Sequence, residues 1–267
     1  MTNTIHVDTF NNLAELFSDK LDARINRFRS PYLYRGLSNE SFHLVPSLQR
    51  CCKSESNKLE PHTLNNFLKY AKMEYPALGT SIWDAMIIGQ HHGLPTRLLD
   101  WTRSPLIALH FAMSESNLDD LDKHNCVVWR IDVREINALL PKAYQEHLQQ
   151  KGTVVFTVET LTEVAKTIEK YDKDMNGNAI AIIEPPSIDQ RIVNQFSFFS
   201  IVPDGMINLD KFLETSACNA TKYIIDKSLR WKIRDLLDQQ NINERMIYPG
   251  LDGIAKWLAR RYYVREK

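Results

Sequence analysis

One stretch constrains this chain more than any other: residues 90–112, QHHGLPTRLLDWTRSPLIALHFA. Gly93-Leu94-Pro95 near its start is a turn signal. Ser104-Pro105 is a helix start, with serine as N-cap and proline at the first helical position, where its missing N–H costs nothing. A helix is expected over residues 105–113, with Leu106, Leu109, His110 and Met113 on one side. Around this strand-to-helix turn crowd His91, His92, Thr96, Arg97, Asp100, Trp101, Thr102, Arg103 and Ser104. Their donors converge with the positive end of the coming helix, which suits an anionic or polar ligand. A plainer reading stands beside it, in which Asp100, Thr102 and Ser104 only cap the turn and the helix.

The rest of the chain alternates strand and helix signals without a repeat, a low-complexity tract or a linker. Phe10, Leu13, Phe17, Leu21, Ile25 and Phe28 recur at three or four and predict a helix over residues 9–28, capped by Asp8 or Thr9. Residues 32–36, Tyr-Leu-Tyr-Arg-Gly, read as a short strand ending at a glycine. Residues 51–62 are polar and loop-like, and 63–92 helical with an interruption near Pro76 and Gly79. Strands are expected over 126–133, 154–158, 179–183, 196–202 and 222–225. Helices are expected near 133–149, 160–172, 229–239 and 251–262. This order fits α+β, a single compact domain with a mixed central sheet flanked by helices, better than a doubly wound sheet. The division expected is an N-terminal helix over 1–29 and one domain over 30–267.

Composition narrows the setting. Formal net charge is zero, so no global field recruits nucleic acid. Residues 24–50 nevertheless hold five Arg against one acid, Glu40, and residues 221–267 hold eleven Lys or Arg against six Asp or Glu. These are either local anion-binding faces or solvated helix surfaces. Cys51, Cys52, Cys126 and Cys218 form no Cys-x-x-Cys, and a reducing compartment is the simpler inference. The first residues, MTNTIHVDTFNN, lack the basic and apolar regions of a secretory signal, and no run approaches the roughly 18 apolar residues of a membrane span. A cytoplasmic protein without membrane attachment is the expectation.

The phosphate-loop, Gly-x-Gly-x-x-Gly and Gly-x-Ser-x-Gly motifs are all missing from the sequence. His91 and His92 are adjacent, so on a helix they diverge by about 100° and cannot easily chelate one ion; no metal site is expected. Arg35 is sharper. A strand-terminal Arg beside Gly36 can meet a phosphate bidentately while the chain turns away, or it can pair with an acid such as Asp100, or both. Gln195 precedes a β-rich aromatic run in which Phe196, Phe198 and Phe199 read as core.

These residues resemble a known family. Tyr34-Arg35-Gly36, Leu44-Val45-Pro46-Ser47-Leu48, the run from Gln90 to Thr102 and Ser104-Pro105 through Phe111-Ala112 are similar to the FRG domain, named for an aromatic-Arg-Gly motif. Arg191…Gln195…Phe199 and the YPGLDG run starting at Tyr248 fit its pattern too, so the resemblance spans roughly residues 30–262. FRG domains are in turn similar in layout to ADP-ribosyltransferases of the Arg–Ser–Glu type. Arg35-Gly36 matches the first motif, Thr102-Arg103-Ser104 followed by Ala108…Phe111-Ala112 the second, and Gln195 falls near the third. This chain departs there: no Glu-x-Glu or Gln-x-Glu stands near Gln195, and Glu184 is the nearest acid upstream.

The resemblance implies ADP-ribosyl transfer from NAD, as co-substrate, to an RNA or protein acceptor. It also implies a toxin of a toxin–antitoxin or phage-defence system, with an antitoxin protein as partner. Arg35 then takes the pyrophosphate, while Thr102 and Ser104 order the strand and the ribose, and Gln195 stands in for the acid. Asp100 or His92 orients Arg35 or activates the acceptor, and Trp101 or a tyrosine stacks on nicotinamide. Tyr34, Gly36, His92, Thr96 and Trp101 join Arg35 around the co-substrate. Two other readings stay open: a non-catalytic module binding a nucleotide or protein segment, and a nuclease-type toxin using His91, His92 and Arg35.

Overall fold

The computed structural model describes residues 2–23, 25–75, 78, 81–206 and 208–265. Strands β1 (Asn3–Val7), β2 (Lys20–Asp22), β3 (Arg27–Arg29) and β4 (Tyr32–Leu37) come first, with helix α1 (Phe10–Leu13) after β1. Helices α2 (Ser47–Cys52), α3 (Ser56–Glu74) and α4 (Ile82–His91) lead to β5 (Leu98–Thr102), and α5 (Pro105–Ala112) follows at once. Then come β6 (Cys126–Asp132), α6 (Val133–Asn137), α7 (Lys142–Lys151), α8 (Val158–Val164), α9 (Ile168–Met175) and β7 (Ala181–Ile183). The chain closes with α10 (Gln190–Gln195), β8 (Ser197–Ile201), α11 (Leu209–Thr215), β9 (Thr221–Ile225), α12 (Lys227–Gln239), α13 (Glu244–Ile247) and α14 (Leu251–Arg261).

Seven strands form one mixed sheet in the order β1-β9-β6-β4-β5-β8-β7. β1 and β9 run parallel and the other neighbours antiparallel. Helices flank this sheet, so the architecture is α+β. Strand alternation decides what each face buries. Val127, Trp129 and Ile131 of β6 lie on one face with Leu33, Leu99, Trp101 and Phe198, in a single cluster that spans the sheet from β6 to β8. On the other face the core is in two parts. Cys126, Val128, Tyr34 and Tyr223 pack against Ala108, Leu109 and Ala112 of α5 and Ile233 and Leu237 of α12. Leu98, Phe199, Ile201 and Ile183 pack separately, against Trp83 and Met86 of α4, Tyr144 of α7 and Tyr171 of α9. The boundary between the two parts falls between β4 and β5.

Several sequence expectations are corrected here. The apolar stripe over residues 9–28 does not make one helix. α1 and a 3-10 turn, Ala14–Phe17, bury Leu13 and Leu16, but Phe17, Leu21, Ile25 and Phe28 are exposed. With no core to receive them, the chain doubles back as the β2–β3 ribbon, turning at Asn26, whose positive φ of 49 suits asparagine. Residues 3–7 also join the main sheet at its edge. The loop expected over 51–62 is largely helix. The buried positions of α3 include Ser56 and Glu60, which carry no apolar signal, and Pro61 sits inside it. Residues 154–158 contribute only an isolated bridge, Phe156 to Ile183. Phe196, expected in the core, is exposed at φ 47, as the left-handed cap of α10, while Phe198 and Phe199 are buried. Thr9, Ser104 and Pro105 cap and open their helices as expected. The interruption expected near Pro76 and Gly79 lies outside the described residues.

Two positions generate tests. A Cβ placed on Gly36 would stand 2.0 Å from the Ala108 carbonyl oxygen and 2.6 Å from the Ala112 nitrogen, both backbone atoms of α5. Neither can yield without lifting the helix off β4. Gly36→Ala is therefore expected to cost at least about 2–3 kcal/mol, within or above the usual overpacking range, seen as a fall in Tm of several degrees; an unchanged Tm would show that α5 does not rest on Gly36. The second position is His110 of α5, fully buried, with Arg234 Nη1 at 2.8 Å from its Nδ1. A guanidinium only donates, so Nδ1 accepts and the ring is neutral. Burial, aided by the Arg234 and Arg260 cations, pushes its pKa down to about 3. The unfolded imidazole binds a proton near 6.5. Unfolding therefore takes up a proton between those values, and stability falls as pH drops below about 6.5. Denaturant melts at pH 7.5 and 5.5 should differ by about 1.4 kcal/mol more in the wild type than in His110→Gln; equal differences would contradict the neutral buried ring.

Candidate functional site

β4 and β5 share a single ladder pair, Tyr34 with Thr102. Beyond it they part, at the same boundary that divides the core on the α5 face. Arg35 spans the opening. Its Nη1 donates to the Asp100 backbone carbonyl at 2.5 Å and meets the Asp100 carboxylate Oδ2 at 3.3 Å. The Arg35 Nε is buried with no acceptor. Desolvation lowers the Arg35 pKa, and Asp100 pulls it partly back. The opening is a recess of about 320 Å³, within the usual size of small-molecule sites. Arg35, Gly36 and Ser38 line it from β4 and beyond, Asp100 and Thr102 from β5, and Phe111 from α5; Phe42, Arg191, Gln195 and Ser197 complete its wall.

A relay of side chains aims Asp100. Thr96 Oγ1 donates to Gln90 Oε1 at 2.7 Å, and Gln90 Nε2 donates to Asp100 Oδ2 at 3.2 Å. The chain Thr96–Gln90–Asp100–Arg35 therefore joins the beginning of the dense sequence segment to the strand-terminal arginine. Arg97, next to Thr96, has a structural task instead. It is buried, its Nε and Nη2 fork Glu60 of α3, and its Nη1 meets Asp172 of α9.

α10 is held at both ends. Asp189 caps it by accepting the Ile192 N–H at 2.9 Å, and the same carboxylate meets His91 Nε2. Burial lowers the His91 pKa, with Asp189 opposing. At the other end Thr102 Oγ1 donates to the Gln195 carbonyl at 2.7 Å, Asn194 Nδ2 to Met246 O at 2.6 Å and Gln195 Nε2 to Ile247 O at 3.3 Å. Arg191 of this braced helix lines the recess and also a neighbouring hollow shared with Tyr248, whose ring is 5.2 Å from its guanidinium.

Of the residues singled out from sequence, Tyr34, Arg35, Gly36, Asp100, Trp101, Thr102 and Gln195 are brought to the recess. Ser104, His92 and Thr96 are not among its lining residues. Ser104 caps α5 by accepting from Ile107, His92 is exposed at the end of α4, and Thr96 is fully buried in the Gln90 relay. Trp101 cannot offer its ring to a ligand: alternation turns it into the large core cluster, where its indole N–H donates to Ser200 at 2.9 Å. The Tyr34 ring is likewise in the core under α5. Thr102 is buried, and its hydroxyl, besides donating to Gln195, accepts the Ser104 N–H at 3.1 Å. Arg191, Ser38, Phe42 and Ser197 were given no role from sequence. For Arg191 a signal existed: it stands four residues before Gln195, so one turn of helix puts both on one side. Among the described residues no three His, Cys, Asp or Glu side chains are grouped as metal ligands, and no helix is long and apolar enough to cross a membrane.

An α+β fold with a mixed sheet that opens onto a cationic recess is the class this geometry defines. Residues 30–121 match the FRG domain family, a segment of roughly a third of the chain that holds β4, β5 and α5. Arg191, Gln195 and Tyr248 lie beyond the matched segment. No curated protein and no solved structure matches the chain.

Proposed function

We propose that the chain is an ADP-ribosyltransferase that takes NAD into the recess between β4 and β5 and passes ADP-ribose to an RNA or protein acceptor. The role that goes with this reading is that of a cytoplasmic toxin, held in check by an antitoxin, in a toxin–antitoxin or phage-defence system. The observation that carries it is the incomplete pairing of Arg35, which engages only Nη1 and leaves Nε buried without an acceptor at the wall of a recess. A partly exposed guanidinium with unspent donors favours an anion, and a pyrophosphate offers oxygens for its fork. In the transfer, the bond between the ribose C1′ and the nicotinamide nitrogen breaks with its electron pair going to nicotinamide. The acceptor's nucleophile bonds to C1′ and gives up its proton. In this reading Asp100, a carboxylate of the recess lining, takes that proton and faces the positive charge on the sugar.

A second reading, a nucleotide-binding module without turnover, is favoured by one observation. The Thr102 and Ser104 hydroxyls are spent on the turn and the helix cap, and Asp100 is the single acid among the lining residues. Labelled NAD incubated with purified protein and with RNA and protein acceptors separates the two. The transferase is expected to release nicotinamide and label one acceptor fraction. Arg35→Ala should lower this roughly 10- to 100-fold while still folded, and Arg35→Lys should be impaired because it lacks the fork. Protein that neither binds NAD nor frees nicotinamide ends the transferase reading; binding without release leaves the module.

A further inference from the structure

The buried arginines of this chain show what full pairing looks like. Arg97 uses Nε, Nη1 and Nη2 against Glu60 and Asp172. Arg260 does the same against Glu244 and Asp238. Arg230 and Arg234 leave Nε unmet but engage both Nη groups. Arg35 and Arg191 differ. Each engages Nη1 alone, Arg191 only through a long 3.4 Å contact to the His91 carbonyl, and each has a buried Nε with no acceptor. Both line the same recess, where the sole carboxylate among the lining residues, Asp100, is already paired with Arg35. Asp189, two residues from Arg191, is occupied by His91 and by the cap of α10. The recess therefore holds two guanidiniums and one acid.

We propose that Arg191 is a second phosphate-binding residue of the recess, so that with Arg35 it selects ligands carrying two adjacent phosphates. The assignment rests on the nucleotide reading of the recess and adds to it a residue and a specificity. Arg35 enters the recess from β4 and Arg191 from α10, so two adjacent phosphates can be shared between them. α10 is fixed at its cap and at its last turn, so Arg191 meets the ligand without a rearrangement of the helix. The Tyr248 ring, 5.2 Å away, takes up none of the Arg191 N–H donors, and Nε has no acceptor. Gln195, one turn further on, is a neutral amide with one N–H on the Ile247 carbonyl, and so supplies no charge to a phosphate.

The test is calorimetric titration of the full chain with ADP and with AMP, probes that differ by one phosphate. Wild type is expected to prefer ADP by roughly 10- to 100-fold, the worth of one charge-assisted contact. Arg191→Met, which keeps an extended side chain on Tyr248, and Arg191→Ala should both collapse that preference toward unity, with Arg191→Lys in between and thermal melts unchanged. An ADP preference that survives in Arg191→Met overturns the assignment, as does a wild type that binds neither probe or both equally. Nicotinamide release is measured alongside. ADP discrimination that depends on Arg191, without NAD cleavage, leaves this assignment standing and removes only the transferase reading. NAD cleavage with discrimination indifferent to Arg191 does the reverse.

Discussion

The parting of β4 from β5 after one ladder pair is the constraint on which the rest depends. A sheet that continued pairing past Tyr34 and Thr102 would have no recess and no reason for Arg35 to be where it is. Two features keep the strands apart. Gly36 lets the backbone of α5 settle directly onto β4, so the helix follows β4 and leaves β5. Arg35 then takes the Asp100 carbonyl that a neighbouring strand would otherwise have bonded. A side chain thus supplies the partner for this carbonyl without closing the gap. The divided core on this face is the packing consequence: α5 and α12 cover one half and α4, α7 and α9 the other.

The chemistry of the site follows from which charges are left over. Arg97, Arg230 and Arg260 are struts that tie helices to each other or to the sheet, and each meets one or more carboxylates. A guanidinium that is less fully paired and stands partly open at a recess keeps donors to offer a ligand. The recess carries two of them. The Gln90 relay fixes Asp100 by side-chain hydrogen bonds from the end of α4 and from the fully buried Thr96 just before β5.

Much of this was legible in the sequence, in the places where local chemistry decides the outcome. Ser104-Pro105 opened its helix because cap and fixed φ act within one turn. The expected strands 32–36 and 126–133 formed because alternating and aromatic residues had a core on both faces. Arg35 and Asp100 met, as the alternative of a paired arginine had it. What stayed hidden depended on distant partners. The stripe from Phe10 to Phe28 had helical spacing, but only its part over residues 10–16 found a core, and Phe17, Leu21, Ile25 and Phe28 had no surface to pack on. Glu60 looked like a loop acid because its partner, Arg97, is 37 residues away. Trp101 looked like a ligand-stacking ring because its neighbours are polar in sequence, whereas strand alternation sends it into the core. Arg191 was marked in the sequence by the Arg191…Gln195…Phe199 resemblance and by its spacing from Gln195, but not by any role, since its significance comes from sharing a recess with Arg35.

The most direct measurement is a crystal structure of the protein with ADP-ribose at saturating concentration. The account predicts a phosphate within hydrogen-bonding distance of Nε or Nη2 of Arg35, in the opening between β4 and β5, with Nη1 still on the Asp100 carbonyl. Phosphates bound outside this recess, or an empty recess at saturation, would contradict it.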